Sequence, residues 1–278
     1  MFLTIQYFLI FLFYAFLGWL GESLYVSMAE ASKEHRSFRF INRGFLRGPV
    51  TPIYGVCGLV MTFALVPVSS SYWKTIVIGI VLCDAVEYFT SWSMEKLFHA
   101  RWWDYTGKPW NINGRIDLKH TLIWGGASLL FTKVIWPVTS WLFRTLRDNL
   151  GWDRIFLLFV LGLIVFIVDL TRTVSATADV AKIQGVLDKF RREAKNGGER
   201  IRDAAENLDR ARENIRIATG WRARHIRQIY RVYPSLIRDT LDRNRPELSD
   251  TTQEAAAKLE ETGRELIAMV REKKLEYY

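Results

Sequence analysis

The sequence predicts an all-α polytopic membrane helix bundle of about five spans over residues 1–175, with a cytoplasmic charged helical tail over 176–278. Two observations predict it. Five apolar segments crowd the front of the chain, at 2–28, 52–67, 73–98, 118–146 and 155–171. Charge is split to match: the first 175 residues hold 16 Lys/Arg and 11 Asp/Glu, whereas the last 103 hold 22 and 18. The mean hydropathy of +0.03 therefore describes neither part. Residues 2–20 alone form an apolar run that no globular surface could cover, which excludes an ordinary soluble enzyme. The composition also excludes disorder for the front part, and collagen or disulfide-scaffold classes for the whole chain. The net charge of +9 reads first as topology and lipid attraction.

Each segment has its own justification. A spanning helix needs about 20 residues at a rise of about 1.5 Å, so 52–67 is short unless it borrows from 48–51. The first segment has no Lys or Arg before it, is too long for a signal peptide and carries Glu22, so it reads as a retained helix. The last runs on without a breaker through Asp169, Arg172 and Ala176 to Phe190, with Asn196-Gly197-Gly198 ending it. Beyond lie an amphipathic pattern from Ile201 to Ala218, a basic stretch over 221–245 and a final helix that Asp250 could cap. Their apolar stripes are thin and call for a partner: one another, a second copy or the membrane.

The basic residues between spans set the orientation. Lys33, Arg36, Arg39, Arg43 and Arg47 follow the first span, and Arg101, Lys108, Arg115 and Lys119 follow the third. Only Lys74 separates the second from the third, while 144–154 carries three arginines offset by Asp148 and Asp153. By the positive-inside rule the N-terminus is outside, the loops 29–51 and 99–117 are inside, and the tail is cytoplasmic.

Chemistry concentrates in those two inner loops. The first contains Asn42-Arg43-Gly44-Phe45-Leu46-Arg47-Gly48-Pro49, the second Trp103-Asp104-Tyr105 and Asn113-Gly114-Arg115. Glycine allows close backbone approach, and arginine offers a fork for phosphate or carboxylate, so two Arg-Gly loops on one face suggest an anion site. In the third span Glu87, Ser91 and Glu95 recur at four-residue steps on one helix face, with Asp84 a turn above Glu87. Glu22 closes the first span. A carboxylate at the centre of a span costs about 2.5 kcal/mol or more, so it pairs or lines a cavity. Glu22, Arg43, Glu87, Glu95, Asp104 and Arg115 are thus expected to converge on one cytoplasm-facing pocket, with Asn42, Arg47, Tyr54, Ser91, Trp103, Tyr105 and Asn113 around it. The competing reading is a set of structural Glu–Arg pairs between loop and helix. Asp169 and Arg172 read as a local ion pair. Trp102, Trp103, Tyr105 and Trp110 read as interfacial anchors.

Other chemistries are absent from the pattern. No G-x-x-x-x-G-K-[ST] occurs. His35, His99, His120 and His225 lack metal-ligand spacing. Cys57 and Cys83 sit inside apolar runs and read as small buried side chains. No cofactor or metal is expected. The cations and aromatics of 221–233 would suggest nucleic acid in a soluble protein; beneath a bilayer they read as a surface for anionic lipid, so nucleic acid is not expected as a partner.

The order Glu22, Asn42-Arg43-Gly44-Phe45 with Gly48-Pro49, Pro52-Ile53-Tyr54-Gly55, Glu87, Glu95, Trp103-Asp104-Tyr105, Asn113-Gly114-Arg115-Ile116 and Trp124-Gly125 resembles the type IV ABC-transporter permease family (CmpB-like) of bacterial membrane proteins. The resemblance covers roughly residues 10–130. It implies a polytopic protein of the bacterial inner membrane, a transporter subunit with an ATPase partner. Two functional readings follow, and a third stands beside them. The domain is a permease or binding subunit for an anionic amphiphile or lipid head group. Alternatively it is a membrane enzyme acting on a lipid or isoprenoid phosphate head group, with Glu22, Glu87, Glu95 or Asp104 as base or metal ligand and Arg43 and Arg115 holding phosphate. The third is a scaffold that recruits partners, or a second copy, through its tail.

Overall fold

The computed structural model describes residues 2–34, 37–98 and 101–195. The expectations for the helices and lipid-facing surface of 196–278 lie outside the described residues. All the named elements are helical, as the composition requires: α1 Phe2–Glu34, α2 Pro52–Leu65 with a 3-10 turn Val66–Val68, α3 Tyr72–Phe98, α4 Leu118–Leu130, a π-helical turn Phe131–Ile135, and α5 Trp136–Lys195. Three stretches are long and apolar enough to cross a membrane, Phe2–Ser32, Tyr72–Phe98 and Leu118–Ala178. The fourth apolar helix, Pro52–Val68, is shorter, as its length in the sequence predicts.

The 61-residue stretch is not one rod. Gly151 has φ 71° and ψ 168°, a conformation open to glycine and closed to a helix. Contacts on either side show the chain reversing there. Before it, Trp124 faces Tyr54, Phe131 faces Tyr14 and Phe143 faces Phe13. After it, Trp152 meets Phe2, Phe159 meets Phe8 and Phe166 meets Phe11, so this part runs parallel to α1. The five apolar segments thus occur in the expected order. The 144–154 stretch corrects the expected loop: apart from Gly151 it is helix. Its polar side chains are satisfied locally, Arg144 on the Ser140 carbonyl and Asn149 on the Thr145 carbonyl.

The chain divides into two compact units, Met1–Ser93 with Asp104–Thr171, and Met94–Trp103 with the residues from Arg172 onward. In the first, α1 and α2 pack antiparallel, with Tyr54 on Glu22, Thr62 on Tyr14 and Phe63 on Tyr7. They meet along a glycine seam: a Cβ at Gly55 would lie 2.8 Å from the Phe11 carbonyl oxygen, and one at Gly58 would overlap the Tyr14 ring. α3 and α4 are also antiparallel, with Gly79 against Ser128. Ile10, Tyr14, Met61, Leu65, Cys83 and Phe131 form the core, so α1, α2, α3 and the π-helical turn meet there. Both cysteines are buried and reduced, as expected. Val81, Leu161 and Val165 are exposed apolar side chains, which in a spanning helix face lipid. In the second unit Trp102 is 4% exposed and packs on Phe98, so it is a buried side chain and not the expected interfacial anchor. Trp110, by contrast, is 82% exposed.

Candidate functional site

The first loop, residues 37–51, is held by side chains of α1 and α5. Asn42 Oδ1 accepts from Trp19 Nε1 at 2.8 Å and from the Gly44 N–H at 2.9 Å, while its amide donates to the Arg47 carbonyl at 3.3 Å. Ser23 and Ser27, one turn apart on α1, accept the backbone N–H groups of Arg43 and Ile41 at 3.1 and 2.8 Å. The Asp169 carboxylate takes the N–H groups of Arg47 and Gly48 at 3.3 and 2.7 Å. Asp169 thus has a role beyond the expected local pair with Arg172. This loop ends at Thr51, the N-cap residue of α2, where Pro52 suits the first helical position.

That path sets Arg43 beside Glu22. The Arg43 Nε lies 3.5 Å from Glu22 Oε1, and the Tyr54 hydroxyl donates to Glu22 Oε2 at 3.1 Å. Three of the expected residues, from α1, the loop and α2, therefore meet around one carboxylate.

The second loop builds itself. Asp104 accepts from the Thr106 N–H at 2.9 Å and from its hydroxyl, the Tyr105 N–H donates to the Gly114 carbonyl at 2.8 Å, and Ile112 bridges Ile116. Asn111 donates to the Thr106 and Lys108 carbonyls and accepts the Gly114 N–H. Asn113 and Gly114 take φ of 52° and 67°, the left-handed pair that asparagine and glycine tolerate. Arg115, 8% exposed, donates to Ser91 at 3.2 Å and lies over the Tyr88 ring at 5.5 Å. The Asn113 amide donates to the Tyr88 hydroxyl at 2.9 Å. Asp117 then caps α4 by accepting the His120 N–H at 3.0 Å.

Glu87 is 7% exposed and accepts from Trp124 Nε1 at 2.7 Å. One turn earlier, Asp84 accepts from Thr121 at 2.8 Å. The Trp124 and Tyr54 rings lie 6.4 Å apart, which links the Glu22 and Glu87 stations through two aromatic donors. Tyr105 stacks on His120 at 4.6 Å and 19°. Its hydroxyl is held well above the usual phenol range, first by burial, then by the Glu87, Asp117 and Glu22 charges, with Arg43 opposing. One loop side chain therefore lies within electrostatic reach of both stations.

Of the expected residues, Glu22, Arg43, Tyr54, Glu87 and Tyr105 form this connected group, while Arg115 with Ser91, and Asn113 with Tyr88, form a second cluster in which Arg115 lies over the Tyr88 ring. Asn42 and Arg47 shape the first loop, and Asp104 a turn of the second. Glu95 and Trp103 belong to the other unit, where Glu95 accepts from Arg101 Nε at 3.0 Å. Sequence reasoning missed Trp19, Ser23, Ser27 and His120 as participants. Only Asp117–His120 had a local signal, an N-cap residue three before a polar side chain. Among the described residues no three His, Cys, Asp or Glu side chains are placed to hold a metal ion.

No curated protein and no solved structure matches the chain. The family described as "Putative ABC-transporter type IV" (CmpB) matches residues 9–174. This extends past the 10–130 of the resemblance to take in the helix after Gly151, with every residue of the connected group inside it. The chain belongs to that family of ABC-transporter-type membrane proteins.

Proposed function

We propose that the protein is the membrane subunit of a transport assembly, and that the Glu22–Tyr54–Trp124–Glu87 network is the polar mouth that receives the head group of an anionic amphiphile. An ATPase subunit is the partner this reading requires. The observation that carries it is the linkage of two span carboxylates through aromatic donors, with Arg43 supplying positive charge beside Glu22 and Arg115 held on Ser91, one turn beyond Glu87 on α3. Intramembrane carboxylates are costly and gather where polar ligands enter. The basic loops favour a bacterial inner membrane with the N-terminus outside and the mouth facing the cytoplasm. Cysteine labelling at positions 70 and 197 tests that orientation; labelling of 197 from outside overturns it.

The head-group reading is tested on the full chain in nanodiscs of equal phosphatidylcholine and phosphatidylglycerol, by native mass spectrometry of the retained lipid. Phosphatidylglycerol should be retained preferentially, Arg43→Gln and Arg115→Gln should lose the preference, and Arg144→Gln should keep it. Equal retention of the two lipids by the unaltered chain contradicts the reading. One observation favours the enzyme as a second reading: the Asp117–His120 contact resembles a base held by a carboxylate. Chemical change in the supplied lipid during incubation would select it.

A further inference from the structure

Beside the network lies a polar pair that the transport reading does not use. Asp117, 4% exposed, accepts at Oδ1 both the His120 backbone N–H and the His120 ring nitrogen Nδ1, the latter at 2.5 Å. Capping α4 needs only the backbone bond. The second bond and the stack on Tyr105 fix the imidazole itself, and Tyr105 is in turn pinned to Gly114.

Burial opposes ionisation of Asp117, but the backbone N–H and ring of His120, with the Lys119 charge, outweigh it and hold the carboxyl below the usual carboxylate range. An ionised carboxylate can only accept, so Nδ1 carries the hydrogen. In the neutral ring Nε2 is then a lone-pair acceptor. Among the described residues nothing hydrogen-bonds Nε2, and the His120 side chain keeps 37% of its surface open while Asp117 behind it keeps 5%. The charged groups facing this ring are Asp117 below it and Glu87 from α3.

We propose that His120, locked by Asp117, is a specificity-determining acceptor for a hydroxyl on the ligand's head group. The substrate class becomes a hydroxylated anionic amphiphile, with phosphate recognised by the arginines and a polyol end by Nε2. This rests on the head-group reading above. A site that hydrogen-bonds a hydroxyl discriminates against an analogue lacking it, because the bound ligand covers the acceptor and leaves it unpaired.

Phosphatidylmethanol has the charge of phosphatidylglycerol and no hydroxyl, so it isolates the inference. In nanodiscs containing both, the unaltered chain should retain phosphatidylglycerol about fivefold over phosphatidylmethanol. His120→Phe, which keeps a ring for Tyr105, should bind the two equally while still preferring either to phosphatidylcholine. Equal binding by the unaltered chain, with the preference for anionic lipid intact, overturns the hydroxyl site alone. Loss of the anionic preference itself overturns the head-group reading instead. A second measurement needs no variant to fold well: ¹⁵N spectra of histidine-labelled protein should show His120 protonated at Nδ1, and a dominant Nε2–H form contradicts the lock.

Discussion

The loops 37–51 and 104–117 reach similar order by opposite means. Residues 37–51 contain little structure of their own and are tied down by Trp19, Ser23, Ser27 and Asp169, side chains that belong to α1 and α5. Residues 104–117 fold on themselves through Asp104, Asn111, the Ile112–Ile116 bridge and a left-handed Asn113-Gly114 pair. The first loop therefore reports the positions of the helices, whereas the second is a preformed piece that carries Tyr105, Arg115 and Asp117 as a unit. A shift of α1 relative to α5 must strain the first loop, which is tied to α1 at Arg43 and to α5 at Gly48. The same rearrangement can leave the second loop intact. That asymmetry suits a site in which one wall is fixed and the other follows the helices.

The largest effect should come from the two asparagines that organise the loops. Asn42→Ala removes three hydrogen bonds and strands the Trp19 and Gly44 donors, so it should cost about 2–3 kcal/mol, seen as a lower thermal midpoint in detergent. Hydrogen exchange should rise both in 37–51 and in α1 around Trp19. Asn111→Ala should loosen 104–116 alone, because its three partners all lie within that loop. Exchange spreading equally into the helices from both variants would erase the distinction.

A smaller, steric version uses glycines. A Cβ at Gly44 would sit 2.8 Å from Trp19 Cδ1, and Trp19 is itself fixed by Asn42, so Gly44→Ala should destabilise by about 1–2 kcal/mol. A Cβ at Gly107 meets nothing within 4 Å, so Gly107→Ala should stay within about 0.5 kcal/mol of the unaltered protein. Equal midpoint shifts for the two would contradict the borrowed-order account of the first loop.

The contrast also explains what was legible. The second loop could be read because its chemistry is local: Asn113-Gly114 signals its turn in adjacent residues. The first could not, since Gly48 meets Asp169 across 121 residues and Asn42 meets Trp19 across 23. Its residues were recognisable as a motif, but not what they touch. The bundle was legible because burial in lipid demands long apolar runs, and their number and order followed from composition alone. The reversal at Gly151 was placed a few residues too broadly, because Arg144, Arg147 and Asp148 look like loop residues although helix geometry satisfies them locally. Glu22 and Glu87 announced themselves as costly charges in apolar helices; their donors, Tyr54 and Trp124, are aromatic residues that read equally well as packing.

The smallest expected effects are on pH. Asp117 has its folded carboxyl below the ordinary value near 4, so its contribution is present above that value and is lost as the pH falls through the folded one. Asp117→Asn should flatten the acid end of a plot of thermal midpoint against pH. Tyr105 has the opposite sign of shift, and its contribution is present below the ordinary phenol value near 10 and lost as the pH rises beyond it. Tyr105→Phe should flatten the alkaline end. Unchanged slopes in both variants would remove these residues from the electrostatics of the second loop.

The central claim is that the two carboxylate stations act as one network across the loops. A double-mutant cycle of Glu22→Gln and Glu87→Gln, scored by thermal stability of the full chain in nanodiscs, tests it most directly. The account predicts that the double variant departs from the sum of the single ones by more than about 0.5 kcal/mol. Additivity within that limit would mean two separate helix–loop ties and would contradict a shared site.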